Sequence, residues 1–106
     1  FYQNNIEHVA YIKTFSECIR GNHYHKHTTQ HILITKGSLE YWYKDFYKPD
    51  DKAKCYIAME NDLISTPPFE IHALKISKEN HFIVFASGMR GGKDYESDTF
   101  RVDPII

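Results

Sequence analysis

Apolar and polar residues alternate along most of this chain in short runs, and turn-forming residues separate the runs. Residues 6–13 alternate around Val9 and Tyr11, residues 19–25 and 30–35 follow, and residues 38–44 place Leu39, Tyr41 and Tyr43 on one side. Residues 54–59, 63–66, 71–76 and 81–86 continue the series. Between them lie polar connections at residues 14–18, 26–29, 36–37, 45–52, 61–62, 67–68 and 78–80, and Pro49-Asp50-Asp51 makes residues 45–52 a hairpin loop. No segment has the length and period of an amphipathic helix. About eight short strands at regular spacing predict an all-β barrel or sandwich. From Gly88 the character changes: Gly88, Gly91 and Gly92 favour turns, and residues 95–102 read as either a closing strand or a short helical turn.

Composition supports this reading. A chain of 106 residues is one domain, residues 1–106, with one modest core. Eight tyrosines and seven phenylalanines favour strands. A net charge of −1 gives no basic footprint and argues against a nucleic-acid partner. The longest apolar stretch, residues 82–86, is far too short to span a bilayer, so no membrane partner is expected. Cys18 and Cys55 lack a CxxC pattern and read as reduced thiols of a cytoplasmic protein. The chain opens at Phe1 without methionine, which predicts a truncated start.

The chemistry concentrates in residues 20–37, RGNHYHKHTTQHILITKG. On a strand, His23 and His25 project side by side. Such a pair serves either as metal ligands or as an acid/base couple. Of the other histidines, His27 falls in the following turn, His31 faces opposite to Gln30, and His8 and His81 stand at strand starts on the surface. Trp42 reads as a core or interface residue, or as a stacking platform for a base.

These residues resemble the cupin superfamily. Its first motif, G(X)5HXH(X)3–4E(X)6G, is matched by His23, His25 and Gly37, with Glu17 in place of the first glycine and Gln30 in place of the glutamate. Its second motif, G(X)5PXG(X)2H(X)3N, is matched by Pro67 and His72, with Asn61 and Phe69 at its glycines and Ile76 at its asparagine. The resemblance implies a cupin-type antiparallel β-barrel or jelly roll. Arg20-Gly21-x-His23-x-His25-Lys26 with Gln30, Tyr11-Ile12 before it and YESDTFR (residues 95–101) after it is most similar to the sugar-nucleotide 3,4-ketoisomerases. A cousin is the cupin domain of capsular-polysaccharide epimerase/reductases, which keeps the glutamate and a metal.

What the resemblance implies is an isomerase or epimerase of a nucleotide-linked 4-keto-deoxysugar, serving surface-polysaccharide synthesis. His23 and His25 would move the proton alpha to the ketone. Arg20 would face the pyrophosphate or the developing enediolate, or stand solvated at a strand start. Tyr11 would offer a hydroxyl over the sugar, or pack in the core. Gln30 would bond a sugar hydroxyl or hold a histidine tautomer, and His72 would line the cavity. Replacing the glutamate by Gln30 removes a ligand charge and predicts no cofactor. The alternatives are a three-His site for one divalent metal such as Zn or Fe on His23, His25 and His72, and a sugar-binding cupin without turnover. A homodimer is also implied, with an exposed aromatic sheet at residues 39–43 gaining burial.

Overall fold

The computed structural model describes residues 6–87 and 98–106. Gly88, Arg90, Gly91, Gly92 and Tyr95 lie outside the described residues. Nine strands form: β1 (His8–Thr14), β2 (Cys18–His25), β3 (Thr29–Lys36), β4 (Leu39–Asp45), β5 (Lys54–Ala58), β6 (Leu63–Thr66), β7 (Glu70–Ile76), β8 (Asn80–Ser87) and β9 (Thr99–Arg101). The eight expected strands are all present, and residues 99–101 of the closing segment form a strand, β9, while residues 95–97 lie outside the described residues. No helix among the described residues is long and apolar enough to cross a membrane.

The pairing is nested: β1 with β8, β2 with β7, β3 with β6 and β4 with β5, all antiparallel. The chain is thus one long hairpin, tipped by the β4–β5 loop and rolled up. Rolling adds the pairs β3 with β8 and β4 with β7. The result is two sheets, β1-β8-β3-β6 and β5-β4-β7-β2-β9. They face each other as a jelly roll instead of joining into a closed barrel.

The alternating pattern fills the space between the sheets. Cross-strand rows Ala10–Val84–Ile32–Ile64 and Ile12–Phe82–Ile34 face Leu39, Tyr41, Leu74 and Ile76. Each large side chain removed from water here contributes about 1.5–3 kcal/mol. Leu39 and Tyr41 are therefore core residues, which corrects the expectation of an exposed aromatic face at residues 39–43. Exposed apolar residues stand on their sheet at Ile19, Tyr56 and Ile57, and others on the other sheet. Its outer face carries the row Tyr11–Ile83–Leu33–Leu63, continuous across four strands.

Three turns keep the backbone that the cupin motifs provide with glycine. Gly37, Asn61 and Phe69 have φ of 81°, 74° and 64°, so the left-handed conformation survives at two positions where the glycine does not.

Candidate active site

A cavity of about 560 Å3 lies between the sheets, with Ile12, Leu74 and Phe82 among its apolar walls. Arg20, His23, Gln30 and His72 line it. His25 is fully buried beside them, its ring 5.0 Å from that of His23 and 5.3 Å from that of His72, centroid to centroid. The rings of His23 and His72 are 4.6 Å apart. One ligand atom from each of the three histidines falls within 4.8 Å of the others.

A backbone irregularity brings them together. Strict alternation from Arg20 would put His23 on the opposite face. The register of β2 against β7 shifts between Gly21 and His23, so Arg20 pairs with Leu74 while His23 pairs with His72. Asn22 is the inserted residue, in a left-handed conformation (φ 57°) beside Gly21 (φ 98°). The bulge turns Arg20 and His23 to the same interior. Gly21 is required here, because a Cβ on it would stand 2.8 Å from the His72 carbonyl oxygen.

Backbone carbonyls set the tautomers of two rings. His25 Nδ1–H donates to the Asp98 carbonyl (3.0 Å), and His72 Nδ1–H donates to the Glu70 carbonyl (3.0 Å). A carbonyl only accepts, so both rings carry the proton on Nδ1 and keep the Nε2 lone pair. The side chain of Asp98 fixes the adjoining turn. Its carboxylate accepts from the N–H groups of Lys26, His27 and Thr28 and from the Thr28 hydroxyl, at 2.8–3.0 Å. His23 Nδ1 is buried and has no hydrogen-bond partner among the described residues.

All three imidazoles are held neutral. Burial, then His72, His25 and Arg101, lower the pKa of His23 to about 3. Burial lowers that of His72 to about 4 against the opposing pull of the Glu70 carbonyl. Burial also lowers that of His25, opposed by the Asp98 carbonyl, the Asp98 charge and a hydrogen bond with Gln30. Neutral imidazoles accept protons or bind cations, and this arrangement suits either use.

The structure brings together Arg20, His23, His25, Gln30 and His72 from the expected set. It does not bring Tyr11. Ala10 and Ile12 face the cavity, and Tyr11, between them, lies on the outer face with its hydroxyl 3.2 Å from His81 Nδ1. Tyr11 is therefore not a cavity residue. His8, expected on the surface, lines the cavity, and Trp42 is outside it, its Nε1–H donating to Glu40. Three contributors escaped the sequence reading: Thr99 and Arg101, which line the cavity, and Asp98. Two signals pointed to them: the resemblance of residues 95–101, and the alternation of Thr99 and Arg101 once β9 is read as a strand.

No protein-family model matches the sequence, and no curated protein matches it. Solved structures do. A variant of the QdtA 3,4-ketoisomerase from Thermoanaerobacterium thermosaccharolyticum, in complex with TDP, is 25% identical with a TM-score of 0.75, over 92% of this chain and 67% of that one. A 3,4-ketoisomerase from Helicobacter canadensis is 22% identical with a TM-score of 0.77, over 93% and 71%. The capsular polysaccharide assembling protein CapF from Staphylococcus aureus is 17% identical with a TM-score of 0.76, over 91% of this chain. The present chain spans only 27% of that CapF chain. The chain has a cupin-type jelly-roll fold, the frame it shares with these proteins.

Proposed function

We propose that this chain is a sugar-nucleotide isomerase or epimerase that moves a proton alpha to a ketone, working in the cytoplasm as a homodimer for surface-polysaccharide synthesis. The observation that carries the proposal is the placement of neutral His23 and His72, with His25 buried against them, at a cavity that also holds two guanidinium groups, Arg20 and Arg101. Similarity to 3,4-ketoisomerases, one of them bound to TDP, supports the substrate class.

In this reading Arg20 and Arg101 bind the diphosphate, since guanidinium groups pair with phosphate oxygens bidentately. The sugar then reaches the histidines. The C4 ketone acidifies the C3 hydrogen, and His23, the histidine of the motif pair that lines the cavity, takes that proton to give an enediolate. Return of a proton to C4, with transfer of the hydroxyl proton from O3 to O4, leaves the ketone at C3. Atoms balance without a co-reactant. Return to the opposite face of C3 would be an epimerisation. His25, fixed behind by Asp98 and Gln30, keeps the imidazole cluster in register and exchanges protons with it.

With TDP-4-keto-6-deoxyglucose in D2O, the enzyme incorporates deuterium into the sugar. His23→Asn lowers turnover by roughly 100-fold or more while still binding TDP. Full turnover in that variant, or no exchange with any 4-keto sugar nucleotide, would overturn the proposal.

A second reading rests on one observation. His25 and His72 both give Nδ1–H to backbone carbonyls, the outer-shell arrangement that orients metal-bound imidazole. His23, His25 and His72 would hold Zn or Fe, with Gln30 adding a neutral amide where related sites have a charge. Such an ion would polarise the ketone as a Lewis acid. Elemental analysis of the untagged protein distinguishes the readings: one equivalent of metal favours this one.

A further inference from the structure

A second cavity, of about 470 Å3, opens between the β4–β5 loop and the turn leading into β7. It shares no lining residue with the histidine cavity among the described residues. Tyr47 and Phe69 form part of its wall, their ring centroids 5.2 Å apart and their planes inclined by 40°. Tyr47 stays 67% exposed, so its ring is available to another flat group.

Lys48, Lys52 and Lys54 also line this cavity. None of the three has an ion-pair partner among the described residues. Lys44, the fourth lysine of the lining, donates to the Pro49 carbonyl at 2.8 Å, and three carboxylates share the cavity. Asp45 accepts from the Tyr47 N–H at 2.9 Å, and Glu70 accepts from the Tyr41 hydroxyl at 3.0 Å. Both keep their charge, and with the exposed Asp51 they set three carboxylates against four ammonium groups, a formal excess of one positive charge.

A third observation concerns the backbone. Phe69 is a bulky residue in the left-handed region (φ 64°), a conformation that costs about 1–3 kcal/mol. Its N–H donates to the His25 carbonyl at 2.7 Å, which holds the strained backbone in place. Strain of this kind concentrates at ligand sites, where it fixes a side chain that an ordinary turn would place elsewhere.

We propose that this cavity is a nucleotide-binding site, separate from the histidine site, taking a base against Tyr47 and Phe69 and phosphates at the three lysines. Aromatic rings stack on any base, and ammonium groups bind phosphate as point charges. An uncharged sugar would leave the lysines unmatched, and a bare anion would leave the rings unmatched. The proposal is independent of the chemistry assigned to His23 and His25.

Amide chemical shifts of the 15N-labelled chain test it, with TDP, thymidine and inorganic phosphate titrated separately. TDP is expected to shift Tyr47, Lys48, Lys52 and Phe69 saturably, with an affinity at least tenfold tighter than either fragment. Tyr47→Ala weakens that binding about tenfold, the usual loss when a stacking ring is removed. Lys52→Glu with Lys54→Glu weakens it and flattens its salt dependence. In both variants the rest of the amide spectrum keeps its dispersion, and shifts at Gly21, His23 and Thr99 report the first cavity separately. Two results would overturn the proposal. One is the absence of saturable shifts around Tyr47. The other is phosphate binding as tightly as TDP with no effect of Tyr47→Ala, which would reduce the cavity to a basic surface.

Discussion

Single residues carry the acid sensitivity of this protein. His72 titrates near 6.5 in an unfolded chain and at about 4 in the fold. Between those values the unfolded chain binds the extra proton, so stability falls as the pH falls. The contribution is present above pH 6.5 and lost by about pH 4, on the order of 3 kcal/mol. Denaturation of chelator-treated protein across this range reads the slope directly, and His72→Gln is expected to reduce it by about one proton. An unchanged slope would mean that His72 is not held neutral. The identity of these histidines was legible in the sequence, because two motif spacings place them within one strand and after one turn. The direction of Tyr11 was not. Alternation separates the faces of a strand but does not say which one meets the cavity, and β1 belongs to a sheet with apolar residues on both.

At the scale of elements, the bulge in β2 is the feature on which the site depends. A pattern with period two cannot anticipate an inserted residue, so the inward position of Arg20 beside His23 came from the resemblance and not from the alternation. Gly21 holds that bulge at φ 98° against the His72 carbonyl. Gly21→Ala is expected to cost about 2 kcal/mol or more, from the backbone conformation and from a contact with rigid main chain. Thermal unfolding should move down by roughly 10 °C. The same change in Gly37, whose Cβ would meet the Glu79 carbonyl at 2.8 Å, destabilises without disturbing the histidines. Equal loss of turnover per folded molecule in both variants would count against the bulge as the positioning device. The strands themselves were legible because turn residues bound them. The pairing of β2 with β9 was not, since a three-residue strand carries little pattern.

For the whole molecule, the row Tyr11–Ile83–Leu33–Leu63 is the face we propose as the contact of the homodimer. Tyr11 and Leu63 are more than half exposed at its two ends. A contiguous apolar row across a sheet face is more stable covered than in water. In the proposed homodimer it is buried by a second copy, so gel filtration at micromolar concentration should give twice 12.5 kDa. Tyr11→Lys with Leu63→Lys should give the monomer, since two charges would have to be buried in the interface. A wild-type monomer at tens of micromolar would rule this face out as the contact.

The Asp98 clamp has a consequence for the order of events in folding. Its carboxylate and carbonyl reach back about seventy residues to hold the turn after the histidine pair and the tautomer of His25. Contacts so distant in sequence close late, because the intervening loop must first lose its freedom. The inner pairs β4–β5 and β3–β6 therefore close before His25 is oriented, while β1–β8 closes over a span of chain like that of the clamp. Orientation of His25 follows closure of those inner pairs. The same separation runs in reverse: release of residue 98 alone would silence the site while the jelly roll stands, giving the protein a threshold for activity below its threshold for unfolding.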